Sequence, residues 1–189
     1  MRAGKRDKLF HAIVFFVKNT RSCHKVKLCK LLYFLDFEIY RQTGKSTTGL
    51  LYFAWPMGPV PTELFNELSA PRADMEKVFR VHTAPAGDPD SDSRLSILPR
   101  ADFDKDLFTK RELKEMARLV EVFRDATGEQ MKIASHAVGL PWRQIYEVEG
   151  RRQALIPYDL ALDDRPGSIT KERADELQQE ARAVAALFK

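Results

Sequence analysis

With 189 residues, 44% of them apolar and 31% charged, the chain has the length of one domain and enough apolar side chains to bury a core without staples. The ordinary composition and the formal net charge of +4 exclude a chain that is disordered or fibrous throughout. Two cysteines, Cys23 and Cys29, make no disulfide framework and point to a reducing compartment.

Arg2, Lys5, Arg6 and Lys8 precede the apolar run from Leu9 to Val17, which superficially resembles a signal peptide. His11 interrupts the run, Lys18 ends it, no small-x-small cleavage site follows, and the run is too short to span a bilayer. A cytoplasmic, membrane-free protein is expected. The segment from about Lys5 to Asn19 reads instead as a helix, apolar nearly all round at Ile13 to Val17 and therefore central and buried.

A second helix is predicted from about His24 to Thr43, with Leu28, Leu31, Leu32, Leu35 and Ile39 at helical spacing and Gly44 as its stop. Lys25, Lys27, Lys30, Glu38 and Arg41 fall on its other faces. From Met1 to Lys30 nine basic residues are opposed only by Asp7. Such a basic end can attract nucleic acid or an acidic partner, or it can be a solvated helix face.

Leu50 to Trp55 reads as a short extended segment, and the prolines of Pro56-Met57-Gly58-Pro59-Val60-Pro61 are expected to forbid regular structure after it. A short helix, Thr62 to Leu68, should follow. Val78 to His82 and Arg94 to Leu98 suit two strands, joined by a mobile tip from Thr83 to Ser93. Capping-box patterns at Thr109/Glu112 and Thr127/Gln130 open two helices, and the second ends near Gly139. Pro141 opens another, closed by Gly150, and a last helix from about Thr170 carries the stripe Ala174, Leu177, Ala181, Val184 and Leu187. The fold class is mainly α: a single-domain helical bundle with a small inserted antiparallel β element. Residues 1–150 form the principal unit, and residues 151–189 a C-terminal loop and helix packed on it.

No phosphate loop, nucleophile elbow or metal signature is present in the sequence, so catalytic residues, metal and cofactor are all expected to be none. Cys23, His24 and Cys29 lack a fourth ligand at useful spacing. A Cys29–His136 nucleophile pair can be written, as in any chain with both residue types. The aromatic residues Tyr52, Phe53 and Trp55 beside a rigid turn suit a binding surface, or else a turn anchored in the core. His136 and Trp142 could meet at a helix corner, with the histidine on a backbone carbonyl or stacked on the indole.

Three strings resemble the Panacea domain family, the SocA-like antitoxins often described as phage-associated proteins. They are Lys30-Leu31-Leu32-Tyr33-Phe34 with Asp36, Phe37 and Gly44; Thr48-Gly49 with Tyr52, Ala54-Trp55 and Gly58-Pro59-Val60-Pro61; and Ser135-His136 with Pro141-Trp142. The resemblance runs from roughly Leu9 to Gly150 and does not reach the tail. It implies an antitoxin whose partner is a cognate toxin encoded nearby, neutralised by direct binding or by delivery to a cellular protease. The partner-binding residues it implies are Lys30, Tyr33, Tyr52, Trp55, Met57, Gly58, Pro59, Val60 and Pro61. Gly44, Gly49, His136, Pro141 and Trp142 are the structural or motif positions. The alternatives are a nucleic-acid-binding regulator using the basic N-terminal third, although nucleic acid is not the expected partner, and a small hydrolase or metal enzyme. The oligomeric state is open.

Overall fold

The computed structural model describes residues 3–82 and 95–186. Helix α1 (Ala3–Asn19) and helix α2 (Lys25–Thr43) form its centre: Ile13, Val14, Phe16, Leu28, Leu31, Leu32 and Leu35 are wholly buried. Burying a side chain of this size contributes about 1.5–3 kcal/mol, so these seven are a substantial part of the apolar driving force. Helix α2 ends as expected at Gly44, whose φ of +68° closes the last turn through its N–H on the Tyr40 carbonyl.

The proline-rich segment is more regular than expected. Strands β1 (Phe53–Trp55) and β2 (Gly58–Val60) form an antiparallel hairpin in which Ala54 faces Pro59. The reason is register. Ala54 directs both its N–H and its carbonyl away from β2, to Ala154 O and Gln153 N at 2.9 and 2.8 Å. Pro59 therefore sits where β1 asks for no donor, and its missing N–H costs nothing there. Pro56 takes the first turn position, and Gly58 (φ +96°) takes the conformation that lets the chain return. An isolated bridge between Phe53 and Leu155 adds residues 153–156 along the far edge of β1.

After α3 (Thr62–Glu67) comes α4 (Ala73–Val78), which the periodicity did not predict. A second antiparallel hairpin, β3 (Phe79–His82) with β4 (Ser96–Pro99), follows. The β structure is thus two separate hairpins. The tip expected at Thr83 to Ser93 lies outside the described residues. Both capping boxes form, opening α5 (Lys110–Phe123) and α6 (Gly128–Ser135). Helix α7 (Pro141–Arg143), with proline at its start, runs into a π-helical stretch, Gln144–Val148.

The tail docks by α8 (Lys171–Ala186) on the end of α2. A Cβ on Gly44 would lie 3.1 Å from Ile169 and 3.2 Å from Leu177, so that glycine both ends α2 and admits the tail. Only the first half of the expected stripe is covered: Ala174 is buried, whereas Ala181 and Val184 are exposed, and Leu187 lies outside the described residues. Mainly α architecture with small antiparallel hairpins is what the sequence pattern predicts. No helix among the described residues is long and apolar enough to cross a membrane.

Candidate functional site

Helix α2 presents polar side chains to the interior at three levels, and two of them hold the β1–β2 segment. Near its C-terminal half, the buried Asp36 carboxylate accepts from the Thr48 N–H (2.7 Å), the Thr48 hydroxyl and the Tyr52 hydroxyl (2.8 Å). Burial raises its pKa to about 6, against the opposing effect of the Thr48 bonds. This clamp fixes the stretch leading into β1. Tyr52 is pressed edge-on against Tyr33 and Phe37, with ring centroids 5.6 and 5.7 Å away.

Two turns earlier, Lys30 reaches the hairpin itself, its Nζ donating to the Pro59 carbonyl at 2.8 Å. The side chain is 1% exposed, and burial pushes the ammonium down to about 7. Ser135 and His136, at the end of α6, converge on the same point. A Cβ on Gly58 would stand 2.6 Å from Lys30 Nζ, 2.7 Å from Ser135 Oγ and 3.0 Å from His136 Nε2. Only a glycine fits, on steric grounds as well as for its positive φ. Ser135 Oγ donates to the Lys132 carbonyl at 2.9 Å, whereas His136 Nε2 is buried with no hydrogen-bond partner. Burial and the neighbouring Lys30 lower the His136 pKa.

The third contact closes the corner. His136 stacks flat on Trp142 with centroids 3.7 Å apart, and Tyr146 stacks on the other side at 4.7 Å. The Trp142 indole N–H donates to the Trp55 carbonyl at 2.9 Å. The two roles foreseen for His136 are therefore divided: the histidine stacks, and the tryptophan bonds the carbonyl. Residues far apart in sequence thus converge on one hairpin.

Several expected site residues lie elsewhere than the sequence implied. Lys30, Tyr33 and Tyr52 are each 1% exposed, so they hold the contact segment from behind and do not present a surface. Gly58, Pro59, Val60 and Pro61 are also buried, against α2 and α6. The alternation of β1 explains the division. Leu50, Tyr52 and Ala54 point inward; Leu51 (58% exposed) and Met57 (49% exposed) point outward, with Phe53 and Trp55 half-buried between them. Leu155, opposite Phe53, joins this outer face. Sequence reasoning named Phe53 for a binding surface but missed Leu51 and Leu155, although the period-2 pattern carried the signal for Leu51.

The basic N-terminal third needs a larger correction. Lys25, Lys27 and Lys30, expected either to attract a partner or to lie on a solvated face, are all inside. Lys27 Nζ donates to the carbonyls of Arg21, Arg124 and Ala126 at 2.8, 2.9 and 2.9 Å. Lys25 Nζ donates to Ser69 Oγ at 2.7 Å and lies over the Phe65 ring. Arg6 is clamped by Glu67 and Asp74, Lys8 by Glu112 at 2.7 Å, and Lys18 by Asp102 at 3.0 Å. The C-terminal end of a helix carries open carbonyls, and a long cationic stem can cross apolar packing to reach them.

Both thiols are also held from chemistry. Burial pushes Cys23 up to about 11 and Cys29 to about 12, the opposite of a nucleophile's need. Among the described residues, no three His, Cys, Asp or Glu side chains are grouped so that they could hold a metal ion.

A family model described as antitoxin SocA-like, Panacea domain, matches residues 28–143, more than half of the chain. The match covers the clamp, the lysine, the hairpin and the stacked corner, and ends before the tail. No curated protein and no solved structure matches the chain.

Proposed function

The chain belongs to the SocA-like antitoxin, Panacea domain family, and from that premise we propose that it neutralises a toxin encoded beside it by binding that toxin directly. The observation that carries the reading is the outer face of the β1 hairpin. Leu51, Met57 and Leu155 stand out from it, with Phe53 and Trp55 between. Apolar and aromatic groups held on a rigid backbone lose little entropy on binding, which is what a hot spot requires. The Asp36 clamp, Lys30 and the Trp142 bond supply that rigidity.

Binding without catalysis is the reading these residues favour. Lys30, Ser135 and His136 are the residue types of a hydrolytic centre, yet Ser135 is fully buried and Lys30 is 1% exposed. A substrate has no path to them. A nucleic-acid role finds little support either, because the N-terminal cations face carbonyls and carboxylates of their own chain.

Co-expression with the neighbouring toxin tests the proposal. The parent protein should rescue growth and co-purify with the toxin. Leu51→Asp and Met57→Asp should remain folded and lose both, because a charge in a desolvated contact costs several kcal/mol. A folded double variant that rescues like the parent would remove this face from the interface. A neighbouring gene that is harmless alone would remove the antitoxin reading.

A further inference from the structure

A cleft of about 910 Å³ opens where the start of α1, the end of α2 and the tail helix α8 meet. We propose that it binds a small phosphorylated ligand: its phosphate on Lys5, Lys45 and Thr47, its hydroxyl-bearing body against Asp175 and Gln178 of α8. The volume lies within the ~300–1,000 Å³ of small-molecule sites. The site is distinct from the hairpin surface, and the proposal does not depend on toxin binding.

Three observations support it. First, the charges lining this cleft are unevenly matched. Lys8 is held by Glu112 at 2.7 Å and Asp159 lies 3.8 Å from Lys171, whereas Lys5 and Lys45 make no ion pair among the described residues. The lining carries three lysines and three carboxylates, and outside these two ion pairs Lys5 and Lys45 face the single carboxylate of Asp175. Second, Thr47 lines the cleft, is 2% exposed, and its hydroxyl has no hydrogen-bond partner. An orphaned buried hydroxyl costs about 1–3 kcal/mol and is retained where something else uses it. Third, Lys5 is already placed: its Nζ lies over Gly49, 2.8 Å from where a Cβ would stand.

Two ammonium groups and a hydroxyl supply the donors and the positive charge that match the three terminal oxygens of a dianionic phosphate monoester, for which lysine is a common partner. The far wall has the opposite chemistry. The Asp175 carboxylate accepts hydrogen bonds from hydroxyls, and Gln178, which donates to Tyr40 Oη at 2.7 Å, keeps its amide oxygen as an acceptor. A ligand spanning both walls would join the loop after α2 to α8, so its binding should order the tail.

Isothermal titration of the full chain with ribose 5-phosphate, inorganic phosphate and ribose tests the proposal, with limited proteolysis of α8 as a second reading. Ribose 5-phosphate should bind more tightly than phosphate alone, ribose should not bind, and the sugar phosphate should slow cleavage within α8. Lys5→Ala and Lys45→Ala should each weaken binding about tenfold, the loss of one charge-assisted contact. Thr47→Val should weaken it similarly while leaving the free protein at least as stable. Absence of binding by both phosphate probes would overturn the proposal. So would binding by the three variants as tight as that of the parent, or ribose binding as well as its phosphate.

Discussion

Lys27 and Lys30 lie one turn apart on the same helix, are equally buried, and are treated differently by the fold. Lys27 uses all three donors on three backbone carbonyls, two of them at the end of α5, and so ties the α1–α2 turn to that helix. Lys30 has one carbonyl, from Pro59, and faces Ser135, His136 and the bare Cα of Gly58. An ammonium with three satisfied donors is a strut. Around Lys30 burial dominates, and with one acceptor in a packed interior the ammonium is pushed down to about 7. A lysine inside a protein is therefore not one kind of object: the count of acceptors around it decides whether it stabilises the fold or strains it.

The largest expected effect separates the two directly. Lys27→Met takes the ammonium from the carbonyls of Arg21, Arg124 and Ala126, of which Arg124 keeps its bond from the Arg21 N–H, and should cost about 3–5 kcal/mol in urea unfolding, the range for breaking a buried charged network. Lys30→Met loses one hydrogen bond but also relieves a buried charge, and should cost no more than about 1–2 kcal/mol. Equal losses would erase the distinction. Next in size, Gly58→Ala forces a Cβ to within 2.6 Å of Lys30 Nζ and into a positive φ, and should cost about 2–3 kcal/mol. Combined with Lys30→Ala, which removes the nearest obstacle, the loss should be smaller than the sum of the two. Strict additivity would mean that the two do not share the space.

Much of this arrangement was legible in the sequence, but its interior chemistry was not. Helical spacing, capping boxes and the stop at Gly44 are local signals, and they placed α1, α2 and the starts of α5 and α6 nearly to the residue, whereas α6 ends at Ser135, short of the expected stop near Gly139. The pairing of His136 with Trp142 was also within reach, because one short turn separates them. The β2 strand was hidden by its prolines, since only the register with Ala54 reveals that Pro59 needs no donor. The buried lysines were hidden by a general expectation. Lysine is almost always exposed, and nothing in the spacing of Lys25, Lys27 and Lys30 says that open carbonyls await them across the core. Convergence of Gly58, Ser135 and His136 spans almost eighty residues and is a tertiary fact.

Acidity offers a smaller effect with a definite sign. The folded pKa of Lys30, about 7, is below its ordinary value of 10.5. The unfolded chain therefore binds more protons than the native chain between those values, and the Lys30 contribution makes stability rise with pH across that window. Below about pH 7 both states are charged and the penalty is fully present. Cys29, pushed up to about 12, gives an opposite slope at higher pH, so the comparison belongs between pH 6.5 and 8.5. There the parent should gain about 1–2 kcal/mol more than Lys30→Met, the equivalent of roughly one pH unit of differential protonation. A parent and a Lys30→Met variant with the same pH dependence would place the charge elsewhere.

The smallest effect is the most informative about why the seat of the hairpin is built with spare polarity. His136 Nε2 is buried without a partner, while its ring makes the flat stack on Trp142 that closes the corner. His136→Phe keeps a planar ring and removes the orphaned nitrogen. Replacing an unsatisfied polar atom by an apolar one of similar shape is nearly neutral or stabilising, so the variant should match the parent or exceed it by up to about 1 kcal/mol. A loss greater than about 1 kcal/mol would mean that Nε2 is bonded after all, and Lys30 would then belong with Lys27 as a satisfied strut. Growth rescue separates the remaining cases. Rescue by a stable His136→Phe protein assigns the histidine a steric duty, holding Trp142 against the Trp55 carbonyl. Loss of rescue at full stability assigns it a polar one, because a planar ring is retained and the imidazole nitrogens have gone.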